Sequence, residues 1–310
     1  MDRSQKSYYL LLLLTVGNVV FMLYNLSSTF SSEYAETSIE GMSKMKKKHM
    51  IRPHDMKKMF IYNTHSWDAA PIVVEEYKLI FFAVGKVSCT VFKQLLRRMM
   101  DLDDWREDSG PLPHNPNKNG LKYLYHYPPG KALEMLTSTN KGWSRAIFVR
   151  DPLERLLSAY LDKGKRKNGS YMAKHCNKEH QVDFSFEEFV GIVSSSCKHD
   201  PHWAPQIQRI DAPFWQHINF VGKFDTLQSD TKKLLNRVGA WEDFGESGWG
   251  PNSNETIFSK ATHARHETGA SGHLEEYYNS SWVRKTALQF YGKDYACPWF
   301  KFRKQIVEYR

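Results

Sequence analysis

The sequence predicts an α/β fold: a P-loop-like parallel sheet flanked by helices, in a single domain behind an N-terminal transmembrane helix. Three observations predict it. In FFAVGKVSCTVFKQLLRRM, residues 81–99, an apolar run stops at Gly85-Lys86, small residues follow, and an amphipathic helical pattern begins. In RAIFVRDPLERLLSAY, residues 145–160, a second apolar run ends at Arg150 and passes through Asp151-Pro152 into another helix. Two strand–loop–helix units of this kind specify a sheet whose ligands lie at the carboxyl ends of its strands. Ahead of both, residues 8–26 are 19 positions without a charge.

That stretch has the length that spans a bilayer core of about 30 Å at ~1.5 Å per residue. Arg3 and Lys6 precede it and Glu33, Glu36 and Glu40 follow, an asymmetry that keeps the N-terminus cytoplasmic and sends the rest into the lumen. A cleaved signal peptide and a buried helix are the alternatives, and the run exceeds the ~7–15 residues of a signal-peptide core. Residues 1–7 therefore read as a cytoplasmic tail, 8–26 as an uncleaved signal anchor, 27–75 as a Ser-, Lys- and Met-rich stem, and 76–310 as the globular domain. Three glycosylation sequons, at Asn168, Asn254 and Asn279, lie beyond the anchor and suit a lumenal, glycosylated chain. Four cysteines allow up to two disulfides. Cys176 and Cys197 are the first pair expected, with Cys89 and Cys297 free.

With 310 residues, 41% hydrophobic and 14% aromatic, the chain can bury a proper core and does not have a disordered composition. The net charge of +9 points to an acidic ligand, an acidic polymer or an anionic membrane surface. Residues 77–84 read as a strand covered on both faces. Val91, Phe92, Leu95, Leu96 and Met99 recur at helical spacing, residues 101–120 read as a long surface loop, and residues 145–149 form the second strand.

Both junctions suit phosphate. At the first, the backbone N–H groups of Val87, Ser88, Cys89, Thr90 and Val91 lie at a helix N-terminus, and Lys86 adds a full charge. A nucleotide-kinase loop reads G-x-x-x-x-G-K-[ST]; here no glycine lies five residues before Gly85 and the lysine opens the turn, which argues against it. At the second, Asp151 is placed as N-cap, Pro152 as the first helical residue, and Glu154 as the other half of a capping box. Ser158, two turns on, is placed to share a phosphate with the Arg150 guanidinium. The plainer alternative is that Arg150 pairs with a neighbouring carboxylate and Ser158 is simply small.

Together the two stretches resemble the 5′-phosphosulfate loop and 3′-phosphate motif of the Golgi carbohydrate sulfotransferases, in particular the chondroitin/dermatan 4-O-sulfotransferase-like branch. The family loop reads Pro-Lys-Val-Gly-Cys-Thr; here it is Gly85-Lys86-Val87-Ser88-Cys89-Thr90, followed by Phe92 and Lys93. The family's Arg-Asp-Pro-x-Glu-Arg-Leu-x-Ser-Ala-Tyr is matched in full by residues 150–160. DPHWAPQ and the segment INFVGKFDTLQSD, residues 218–230, resemble later family segments, so the likeness covers residues 78–302. The paired cysteines that many chondroitin-type members carry between these two segments are absent, with Trp215 and His217 in that region instead.

The resemblance implies a type II Golgi membrane enzyme that moves the sulfuryl group of 3′-phosphoadenosine 5′-phosphosulfate (PAPS) to a glycan hydroxyl. Its first expected acceptor is a galactosamine-containing chain such as chondroitin or dermatan. Lys86 and residues 87–91 would hold the 5′ end and Arg150 with Ser158 the 3′-phosphate, with Lys86 stabilising charge on the bridging oxygen. No metal is required. A histidine suits the role of base. His126 precedes the Arg150 motif much as the base histidine does in the related uronyl 2-O-sulfotransferases, and His202 of DPHWAPQ is the other candidate; the two stay open. Lys223 and Arg265 are lesser candidates for cofactor or acceptor contacts. His175, Cys176 and His180, or His263 and His266, do not form a four-ligand zinc pattern, and a lumenal location argues against nucleic acid as partner. Homo-oligomerisation is compatible with the sequence but not specified by it. The alternative functions are transfer to another glycan acceptor and an inactive homologue that binds PAP or glycan.

Overall fold

A computed structural model describes residues 51–64, 70–109, 112–165, 170–176, 183–259 and 268–302. The expected anchor at residues 8–26, the sequon at Asn168, and Arg265, His180, His263 and His266 lie outside the described residues. Among the described residues no helix is long and apolar enough to cross a membrane.

The chain forms a four-stranded sheet in the order β1 (Ile72–Val74), β2 (Leu79–Phe82), β3 (Ser144–Val149), β4 (Phe220–Lys223). Strands β2, β3 and β4 are parallel, with Phe81 paired to Ala146 and Ala146 to Phe220. Strands β2 and β3 are buried at every position, which is why Leu79–Phe82 and Ala146–Val149 read as unbroken apolar runs rather than alternating ones. The parallel core matches the expectation; the antiparallel β1, with Ile72 opposite Phe81, is added at its edge. Within the span expected to be stem, residues 53–63 form short helical turns and β1 joins the sheet, with Met56, Ile61 and Ile72 fully buried. The first strand is shorter than residues 77–84 because Glu75 and Lys78 close a tight turn (N···O 3.0 Å) before it.

Helix α1 (Cys89–Arg98) follows β2 and α2 (Pro129–Thr137) precedes β3. Arg145, at the start of β3, donates to the Met135 and Ser138 carbonyls, covering the exposed C-terminal end of α2. Helix α3 (Pro152–Ala159) follows β3 and runs into a π-helical turn, Tyr160–Gly164. Helices α4 (Ser170–Cys176), α5 (Phe186–Ser194), α6 (Leu227–Val238), α7 (Ser281–Phe290) and α8 (Gly292–Ala296) complete the main elements.

Among the described residues there are two cores. One lies around the sheet, where the Phe92 ring lies 4.7 Å from that of Phe81 and 4.6 Å from that of Phe148. The other joins α3 to α5 and α7 through Leu156, Leu157, Phe189, Trp203 and Tyr291. The Cys176–Cys197 disulfide is present, tying α4 to the segment after α5, and Cys89 and Cys297 are not in a disulfide.

Candidate functional site

The site lies at the carboxyl ends of β2 and β3. After Phe82 the chain turns through Gly85-Lys86-Val87-Ser88 into α1. The left-handed residues are Lys86 (φ 65°) and Ser88 (φ 52°), not Gly85. Ser88 is the N-cap of α1, and its side chain makes no capping bond. Ser88 therefore gives the first N–H groups of the helix no side-chain acceptor at the end where the helix dipole is positive.

The Lys86 ammonium is buried and pairs with Asp162 Oδ2 at 3.1 Å. Asp162 is presented by the π-helical turn, a geometry common at functional sites. Burial pulls the Lys86 pKa down, and Asp162 opposes that pull. Burial alone would raise the Asp162 carboxyl, but Lys86 and Lys163 outweigh it and hold the group well below the usual carboxylate range. Asp162 is thus a carboxylate at neutral pH. Sequence reasoning missed Asp162; its signal was the Leu-Asp-Lys that directly follows the Arg150 motif.

Arg150 reaches the same loop from β3. Its Nη1 donates to the Lys86 carbonyl (3.4 Å), its Nε to Glu154 (3.4 Å), and its guanidinium lies 4.0 Å from the centre of the Phe224 ring. Burial lowers the Arg150 pKa, with Glu154 opposing. The carboxylate pairing weighed as the plainer alternative does exist, and the same guanidinium still contacts the loop. Asp151 caps α3 as expected, accepting from the N–H groups of Leu153 and Glu154. The expected capping box does not form, because Glu154 turns to the nearby guanidinium, a charged donor stronger than a backbone N–H.

The Arg150 backbone is clamped by Gln206, whose Oε1 accepts from the Arg150 N–H (2.9 Å) while its Nε2 donates to the carbonyl (2.8 Å). Buried Asp294 in turn accepts from the N–H groups of Gln206 and Ile207. Ser158 is buried and accepts from the Thr268 hydroxyl at 3.0 Å.

Arg155, inside the same motif, was also missed. It is fully buried and donates to the carbonyls of Gly85, Ala204 and Pro201, each at 2.8 Å. One guanidinium thus fastens the loop to the segment that carries His202.

The two candidate bases sit in different settings. His126 is exposed, its Nδ1 accepts the Tyr123 N–H (3.2 Å), and its ring packs on Tyr123 and Tyr125 beside edge strand β1. His202 is buried, with Nδ1 2.8 Å from Asp200 Oδ1. The Tyr171 hydroxyl donates to Asp200 Oδ2 at 2.7 Å. Burial would raise the Asp200 carboxyl, but the bonds from His202 and Tyr171 hold it below its ordinary value. An ionised Asp200 only accepts, so Nδ1 carries the proton and Nε2 is the basic nitrogen of neutral His202. The Lys163 ammonium lies 5.1 Å from the Tyr171 ring centre and 3.1 Å from Asp162. His202 is therefore linked to Lys86 through Tyr171, Lys163 and Asp162.

Lys223 donates to the Lys301 carbonyl at 3.0 Å rather than toward the loop. His175 stacks on Tyr171. Among the described residues no group of three or more His, Cys, Asp or Glu is placed to hold a metal ion. Asn254 and Asn279 are exposed.

Carbohydrate sulfotransferase 9 of Homo sapiens is 29% identical over 193 residues, covering 54% of this chain and 40% of that protein. Carbohydrate sulfotransferase 11 of Rattus norvegicus is 26% identical over 265 residues, 76% of this chain and 70% of its own length. Carbohydrate sulfotransferase 14 of Danio rerio is 26% identical over 184 residues, 54% of this chain and 48% of that protein. No solved structure matches the chain. The pattern of the Sulfotransferase family matches residues 71–301, so from β1 through the Lys86 loop to the end of the described residues the chain belongs to that family.

Proposed function

We propose that the protein is a PAPS-dependent carbohydrate O-sulfotransferase acting on a galactosamine-containing glycan such as chondroitin or dermatan. The observation that carries this reading is the convergence of the Lys86 ammonium and the Arg150 guanidinium on one loop. PAPS fits the residues present: an α1 N-terminus without a side-chain cap for the 5′ end, a buried ammonium beside it, and Arg150 with Ser158 for the 3′-phosphate. When bound, PAPS supplies a sulfuryl group activated by its phosphate leaving group.

The protein's part is positioning and charge stabilisation. The loop N–H groups of residues 87–91 orient the 5′ end. Lys86 neutralises the negative charge that grows on the bridging oxygen as the sulfur–oxygen bond breaks. His202 Nε2 takes the proton from the attacking glycan hydroxyl, and Asp200 stabilises the resulting imidazolium. The uncharged run at residues 8–26 anchors the chain as a type II Golgi protein, and the sulfotransferase domain faces the lumen.

Incubating the full chain in detergent with labelled PAPS and a panel of desulfated glycans tests the function. Label on a galactosamine-containing chain is expected. Label on a different glycan class replaces the acceptor, while PAP binding without transfer to any glycan supports the inactive homologue. For the base, His202→Ala is expected to lower kcat by about 10²–10⁴-fold and His126→Ala to leave kcat near that of the wild type. The reverse pattern transfers the role to His126.

A further inference from the structure

The loop expected to be mere surface, residues 101–120, sends His114 back to the start of α1. His114 Nε2 lies 3.1 Å from Thr90 Oγ1, and Nδ1 lies 3.3 Å from the Lys93 ammonium. Lys93 is fully buried. Both ring nitrogens are thus engaged, and turning the ring over would put carbons in their places.

Counting protons settles the direction of these bonds. A lysine ammonium donates only, so Nδ1 accepts and the imidazole proton resides on Nε2. Nε2–H then donates to Thr90 Oγ1. The threonine oxygen has accepted a hydrogen bond, and its own hydrogen must point elsewhere. Among the described residues the Thr90 hydroxyl contacts His114 alone. Thr90 is the second residue of α1, at the end where the first N–H groups have no side-chain cap.

We propose that His114 is a positioning residue that, held in one tautomer by Lys93, turns the Thr90 O–H toward the 5′-phosphate end of the donor. The inference rests on the donor reading above. Thr90 contacts the donor and His114 acts only through it. Neither residue spacing nor periodicity reveals this, because 24 positions of chain separate the two side chains.

The test is a double-mutant cycle on PAP affinity, measured by calorimetry on the full chain in detergent. Thr90→Val and His114→Ala are each expected to weaken PAP binding by about three- to tenfold, the range of one hydrogen bond. The double variant should bind no more weakly than the poorer single variant, because removing the hydroxyl removes what His114 acts on. His114→Gln, which offers an amide donor to Thr90 and a carbonyl to Lys93, should recover most of the loss. Unchanged affinity in a folded His114→Ala protein, a folded His114→Gln protein that binds as weakly as His114→Ala, or fully additive losses, overturns the inference alone if the wild type binds PAP and Lys86→Ala weakens that binding. A folded wild-type chain that binds no PAP overturns the donor reading and this inference together.

Discussion

At the Lys86 loop the backbone is held in left-handed conformations at two non-glycine residues, and the functional ammonium is placed by a single buried counter-ion. At Arg150 the backbone leaves a regular strand, is clamped on both its N–H and C=O by Gln206, and enters a helix capped by its neighbour Asp151. The loop stores strain next to a charge that must meet a reacting bond. The clamp holds a charge whose task is to grip a group that does not react. Backbone strain and a buried ion pair suit a site where charge builds up in the transition state; a clamped guanidinium suits ground-state binding.

The sharpest way to break this contrast is to remove each cation in turn. Lys86→Ala is expected to lower kcat by about 10³-fold or more with a smaller change in the PAPS KM, as expected for charge stabilisation made chiefly in the transition state. Arg150→Ala should instead raise the PAPS KM by about 10–100-fold, the worth of a charged hydrogen bond, with a lesser effect on kcat. Steady-state kinetics on both variants separates the roles. Equal losses in kcat and KM for both would erase the distinction.

Asp162→Asn comes next. It leaves Lys86 buried without its counter-charge and should cost about 3 kcal/mol of stability at neutral pH. The pH dependence has a definite sign. The Asp162 carboxyl is held below its ordinary value in the folded chain, so the stability it contributes is present above the ordinary carboxylate range, about pH 4, and lost as the pH falls below it. Urea unfolding of wild type between pH 6 and 3 should therefore show a steeper acid loss than Asp162→Asn. Parallel curves would mean that the ion pair does not set the acid limb.

The smallest expected effect is Ser88→Gly. Glycine accepts a positive φ freely, and at φ 52° the serine is strained. Set against the greater unfolded-state entropy of glycine, the gain should be under about 1 kcal/mol, a rise in Tm of about 2 °C. A fall in Tm would mean that the loop is not strained there. The same position is the one where the sequence departs from the family's common glycine, so the left-handed turn persists although the residue that eases it is gone.

Much of the Arg150 side was legible in the sequence because its signals are local. An N-cap aspartate, a proline at the first helical position and an apolar stripe lie within a few residues of one another, and the cap forms as read. Glu154 shows the limit: spacing allows a capping box, and only the position of the Arg150 side chain decides that the carboxylate goes elsewhere. The surface-loop reading of residues 101–120 holds for most of their length and misses the buried positions for a similar reason. Its Asp, Pro, Asn and Gly content does mark turns, yet Asn119 is fully buried, donating to the Pro113 carbonyl and the Tyr123 hydroxyl.

By itself the sequence determined the α/β class, the parallel strands at the site, the helix that follows each, the Cys176–Cys197 pair and the family. Apolar runs, caps and motif spacing are short-range properties, and a chain displays them without being folded. Tertiary structure alone decided that Asp162 faces Lys86 across 76 positions of sequence, that Arg155 ties the loop to Pro201 and Ala204, and that Asp200 sets the His202 tautomer while Lys93 sets that of His114. Those choices depend on which polar groups are buried together. A buried charge or donor must find a partner wherever the fold brings one within reach, and no local pattern records where that is.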